Sequence, residues 1–253
     1  MARTPTVIPS AWNLDWDAIP TGVDDNVGGP VVKPLADDPA TGATTMLIHC
    51  PPGWTDPGLD WHPHDEEVFF LGGCVQLHDR LYRAGDYLYR PPGILHGEPA
   101  AAPELDGATT FHRFSGPLRI LRYDGDEFPH LDCVPITRQH ETWPIPWLEH
   151  VKGAEVPWRD VTVGGWAGVR AQELARNRVN RGGAWLLALP AGWEGRGSVA
   201  TGPVEEFVVE GDLAAGEAAL GRWGYVARPV GAGSYGSEHG ALLLLFSDEP
   251  EIG

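Results

Sequence analysis

An all-β chain folded as two antiparallel barrels or jelly rolls in tandem is what this sequence predicts, on three grounds. Its 33 glycines and 24 prolines are spread along 253 residues, which suits many short strands joined by tight turns. Runs such as "ATTMLIHC", "EEVFFL", "GDYLYR", "TTFHRF" and "LRILRY" are rich in β-branched, aromatic and leucine residues and are bounded by Gly, Pro and Asp. Finally, "MLIHCPPGWTDPGLDWHPHDEE" (46–67) lies without a gap against "WLLALPAGWEGRGSVATGPVEE" (185–206), so the chain holds two copies of one unit.

In that alignment Leu47, Pro51, Gly53, Trp54, Gly58, Glu66 and Glu67 recur as Leu186, Pro190, Gly192, Trp193, Gly197, Glu205 and Glu206, an offset of 139 residues. Further on, "YRPPG" (89–93) matches "ARPVG" (227–231) at an offset of 138. The predicted organisation is a first barrel over 1–125, a Pro- and Trp-rich connection over 126–158 and a second barrel over 159–253. "VRAQELARNRV" (169–179) has helical propensity, but its register with "VVKPLADDP" in the first copy assigns it to strand and loop.

A formal charge of −17 without any Lys- or Arg-rich run argues against nucleic acid and against anionic membrane surfaces. "MARTPTVIPS" lacks the apolar stretch of a signal peptide, and "ALLLLF" is too short to span a bilayer. Cys50, Cys74 and Cys133 are odd in number and widely spaced, which reads as reduced thiols in a cytoplasmic protein. Eleven tryptophans point to aromatic cores or a ligand cavity.

Chemistry concentrates in "GLDWHPHDEEVFFLGG" (58–73). If this segment is extended, Asp60, His62 and His64 share one face, because strand side chains alternate. A ligand from another strand must complete a cage, and "RPPGILHG" supplies His96 after a proline–glycine turn. The repeat is an internal control: Asp60, His62, His64 and His96 map to Val199, Thr201, Pro203 and Ser234, while scaffold glycines and prolines persist. One metal site is therefore expected in the first barrel and none in the second. Imidazoles plus a carboxylate with open positions suit one divalent ion, Fe(II) first, with Zn, Mn or Ni as alternatives.

Of the adjacent acids, one should face the cavity and the other the opposite side. Glu67 is preferred over Glu66 as the ligand. Arg90, six residues ahead of His96, could clamp a substrate carboxylate. Arg228 holds the matching place in the histidine-free copy, which favours a structural ion pair. His49 and His112 lie on strands near the expected cavity, and His49 maps to Ala188, consistent with a role in orienting a histidine ligand. Trp54, Trp61, Phe69 and Phe111 are candidates for apolar walls.

These residues resemble the cupin superfamily. Its second motif is met by Gly85, Pro91, Gly93 and His96, with Ala100 where an asparagine is usual. Counting back from Gly73, the first motif puts His62 at the second histidine, Glu66 or Glu67 at the acid, and Asp60 where the first histidine belongs. The set is then Asp60, His62, Glu67 and His96, with His64 as the alternative to Asp60. "GGPVVKPLADDPATGATTMLIHCPPG" (28–53), "ILHG" (94–97) and "FSGPLRILRYDG" (114–125) look like the acetylacetone-cleaving dioxygenase and ChrR-like cupins. That resemblance implies an iron enzyme acting with O2 on a small dicarbonyl- or ketone-like molecule, with a metal-dependent lyase or isomerase working without O2, or a zinc-binding sensor or binding protein, as the alternatives, in a two-barrel (bicupin) frame. The partners it implies are a small-molecule substrate and, as in cupin dimers, a second copy of the chain in a homodimer.

Overall fold

A computed structural model describes residues 3–19, 29–54, 58–77, 80–97, 99–100, 107–123, 145–162, 164–179, 182–197, 200 and 202–247. Strands dominate, and the helical elements among the described residues are three 3-10 turns. Among the described residues no helix is long and apolar enough to cross a membrane. Two compact units emerge, one made of Asp15–Pro34 with Pro39–Ala154, the other of Met1–Leu14, Leu35–Asp38 and Glu155–Gly253.

In the first unit, the larger sheet runs in the order Leu148–Val151, Tyr87–Arg90, Glu66–Leu77, Ala108–Phe114, Thr44–Cys50, Val31–Asp37, Asp17–Ala18. A smaller sheet pairs Leu121–Tyr123, Leu59–Trp61 and His96–Gly97. Alternation along the strands builds the core: Val68, Phe70, Leu88 and Tyr82 cluster together, and Ile19, Val32, Met46, Ile48 and Phe114 form a second cluster. The last part of the segment expected as a connection, 126–158, belongs to this sheet. Leu148 pairs with Tyr89, and His150 Nε2 lies 2.9 Å from the Asp86 carboxylate. Residues 124–144 of that segment, with Cys133, lie outside the described residues.

The second unit repeats the plan, with a seven-stranded sheet and a four-stranded one. Its outer strand is Thr6–Ile8, paired with Tyr225–Ala227, so the start of the chain serves the second unit although the sequence grouped it with the first. The 169–179 segment is indeed a strand, Arg170–Arg176, held between two neighbours that override its helical propensity.

The duplication is visible at single residues, and it corrects the alignment. Phe69 pairs with Tyr87, and Phe207 with Tyr225, at an offset of 138. The one-residue slip thus falls before the acid pair, so Glu67 corresponds to Glu205 and Val68 to Glu206. Both members of the first of these pairs accept a tyrosine hydroxyl, from Tyr87 at 2.8 Å and from Tyr225 at 2.7 Å.

Candidate metal centre

Asp60, His62 and His96 are all buried, and each offers one ligand atom within 4.8 Å of the others. Their positions follow from the small sheet and one turn. Asp60 lies directly across from His96 on one side and from Arg122 on the other. The proline–glycine turn before His96 is tied down where Gly93, at φ +81°, donates its N–H to the His62 carbonyl at 2.9 Å. Glycine is needed there because the left-handed conformation costs other residues about 1 kcal/mol or more.

Backbone carbonyls orient both imidazoles. Nδ1 of His62 is 2.8 Å from the Arg119 oxygen, and Nδ1 of His96 is 2.9 Å from the Ile94 oxygen. A carbonyl can only accept, so each Nδ1 carries the hydrogen, and a neutral ring then presents its Nε2 lone pair to the centre. Burial lowers the pKa of His62, which favours that neutral form. Asp60 Oδ1 is buried without a hydrogen bond, 3.0 Å from Nε2 of His96. Burial raises the Asp60 pKa, but His96 and then His62 outweigh it and the net shift is downward, towards the anion. A carboxylate facing two imidazole lone pairs is an arrangement that a divalent cation satisfies, so these residues fit a metal.

The other predicted site residues go elsewhere. His64 is not in the cluster: the strand ends at Trp61, the chain bends through Pro63, and the imidazole packs where a Cβ on Gly116 would lie, 2.4 Å away. Glu67, preferred as the acid, turns to the other face of the sheet and binds Arg113 and the Tyr87 hydroxyl. Glu66 takes the inward position, its oxygens 3.8 Å from Nε2 of His62 and 3.9 Å from Nε2 of His96. Burial alone would raise its pKa, but Arg90, followed by His62, His112 and His96, holds it well below the carboxylate range.

Arg90 donates to Glu66 at 2.9 Å, the ion pair that Arg228 suggested. His49 is partly exposed and meets Thr109 at 3.0 Å and the Trp16 ring at 5.7 Å, with no contact to the cluster. It shares the Glu67 face because its strand places Met46 and Ile48 inward. Phe69 and Phe111 lie on that same outer face; the wall beside the site is Phe114, whose ring is 5.4 Å from His62, edge-on. Two neighbours were missed. Arg122 reaches Asp60 Oδ2 at 3.5 Å, and its alternation within "LRILRY" could have flagged it. His112, placed only near the cavity, has Nδ1 3.5 Å from Glu66 Oε1 and Nε2 2.8 Å from the Thr110 hydroxyl.

In the second unit, Ser234 stands at the position of His96, while Val199 and Thr201 lie outside the described residues. Glu206 and Arg228 form an ion pair at 2.7 Å, and Trp166 packs against Trp193 and Tyr235.

Residues 10–115 match the family described as the ChrR cupin-like domain, which supports the cupin superfamily for the first unit. No curated protein matches the chain. Among solved structures, a candidate dioxygenase from Nostoc punctiforme is 16% identical with a TM-score of 0.78, covering 100% of this chain and 85% of that one. An oxalate decarboxylase–formate complex from Lactobacillus farciminis is 13% identical with a TM-score of 0.63, covering 99% and 88%. An oxalate decarboxylase variant from Bacillus subtilis is 10% identical with a TM-score of 0.60, covering 98% and 78%. At these identities the structures establish a shared fold.

Proposed function

From a chain with the cupin fold and a ChrR cupin-like match over residues 10–115, we propose a metal-dependent bicupin enzyme that oxidises a small dicarbonyl- or ketone-like molecule with O2. Supporting this reading is the convergence of Asp60, His62 and His96, two imidazoles and one carboxylate on adjoining strands. That donor set is the one non-haem Fe(II) oxygenases use, and zinc, manganese or nickel also fit it. A bound Fe(II) supplies the Lewis acidity and the redox couple that such a reaction needs. The chain's own residues do the rest. Asp60 offsets one positive charge, the Arg119 and Ile94 carbonyls fix the ring orientations, and Phe114, nearly fully buried and edge-on to His62, keeps water out.

The ChrR-like match favours a second reading, a zinc-binding sensor without turnover. Metal analysis of the purified protein, followed by oxygen uptake with a panel of β-dicarbonyl compounds and aryl ketones, separates the two. Oxygen consumption by the iron-loaded protein that disappears in His96→Ala is the expected result. Tightly held zinc with no oxygen consumption by any metal form would reject the enzyme in favour of the sensor.

A further inference from the structure

We propose that Arg122 makes the first unit selective for a carboxylate-bearing ketone, an oxo acid, over a neutral dicarbonyl. The inference rests on the metal centre of the proposed function and names the class of molecule it takes. It does not depend on whether O2 is consumed.

The small sheet sets the arrangement. Arg122 lies directly across from Asp60, and Asp60 directly across from His96, so the three side chains leave the same face in one row. Burial grades along that row. The side chains of His96 and Asp60 are 11% and 9% exposed, whereas that of Arg122 is 43% exposed. The guanidinium thus stands on the solvent side of the centre, where Nη1 is 3.5 Å from Asp60 Oδ2 while Oδ1 faces His96. Its stem crosses Gly58, where an added Cβ would come 3.4 Å from Nη1 and 3.8 Å from Cδ, so the glycine leaves the arginine room to lie against the sheet.

Two features turn this cation toward a ligand. One is the contact itself. A separation of 3.5 Å is long for a charge-assisted hydrogen bond, which is usually about 2.7–2.9 Å. Arg90, by comparison, holds Glu66 at 2.9 Å with only 6% of its side chain exposed. Arg90 is committed to the scaffold, and the carboxylate clamp that its place in the sequence offered falls to Arg122. The other feature is charge. The chain as a whole carries −17, which repels anions at large. At this rim, however, Arg122 is joined by exposed Arg119, whose carbonyl holds His62 and whose charge reaches His64. Two arginines beside a divalent ion supply the local positive potential that a carboxylate needs, and the guanidinium fork matches both carboxylate oxygens. A neutral ketone gains nothing from either.

Calorimetric titration of the Zn(II)-loaded full chain with acetoacetate and with acetylacetone tests this. The two probes differ by a carboxylate against an acetyl group, and at neutral pH only the first is an anion. The parent should bind acetoacetate at least about tenfold more tightly. Arg122→Ala should weaken acetoacetate about 10–100-fold and leave acetylacetone within about twofold. Arg122→Lys should keep part of the preference, because an ammonium supplies the charge without the fork. Equal weakening of both probes would show an arginine that merely steadies Asp60, and unchanged affinities would show one that meets no ligand. Either result overturns the proposal. If Arg122→Ala does not hold Zn(II), Arg122→Gln, which keeps a donor for Asp60 without the charge, decides by the same ratio. A parent chain that takes up no Zn(II) would instead remove the metal centre itself, a failure distinct from bound Zn(II) with no preference for the anion.

Discussion

At Pro63 the chain leaves the extended conformation, and His62 and His64 consequently point into different surroundings. His62 is 8% exposed beside His96, with ring centroids 4.9 Å apart, whereas His64 rests on Gly116. Strict two-residue alternation would have put both on one face, and proline ends the alternation because it cannot donate to a sheet. Metal affinity reads this difference directly. His62→Ala should abolish tight binding of Zn(II) or Mn(II) in calorimetric titration, while His64→Ala should bind as the parent does. The reverse outcome would move the centre to the bend. His96 was legible as a ligand brought in from a second strand, but Asp60 against His64 was left open, because alternation put both on one face. The choice between Glu66 and Glu67 was not legible, because adjacent acids differ only in strand parity, and parity depends on where the bulge between Thr109 and Thr110 shifts the register.

The same bulge marks a repeated element. Gly73, at φ +76°, ends the bulged part of its strand where an added Cβ would sit 1.8 Å from the Gly107 oxygen. Gly211, its counterpart, has φ +82° and would meet the Gly240 oxygen at the same distance, beside a bulge between Val208 and Glu210. Gly73→Ala and Gly211→Ala should each destabilise the protein by roughly 1–3 kcal/mol in urea unfolding. Gly72→Ala, with open space around it and no left-handed backbone, should change stability by less than about 0.5 kcal/mol. Equal effects of the three would show that the turns do not carry this strain. Such turns made the duplicated β architecture readable, since their glycines survive in both copies. One did not survive: Trp223 occupies the place of Gly85 and is left-handed at φ +60°. Its ring packs 4.7 Å from Trp12, and its carbonyl accepts from Ala11, contacts that offset a penalty of about 1–2 kcal/mol. No spacing rule exposes that exchange, because the compensating residues come from the far end of the chain.

Across the whole molecule, one scaffold is used twice for different ends. Both units keep the tyrosine–glutamate contact and an arginine at the same place, paired with Glu66 in the first and with Glu206, two positions further along the strand, in the second, but only the first gathers two imidazoles and Asp60 around one point among the described residues. The repeat announced this asymmetry in the sequence, through histidines present in one copy and absent from the other. Where each unit draws its strands from was not legible, because the Thr6–Ile8 strand joins a partner more than two hundred residues away. The account stands or falls on where a metal binds. Anomalous diffraction from crystals soaked in Zn(II) or Mn(II) should show one ion per chain, within ligand distance of Asp60, His62 and His96. A peak bounded by His64 or Glu67, an ion beside Glu206 in the second unit, or no ion between residues 60, 62 and 96 would contradict it.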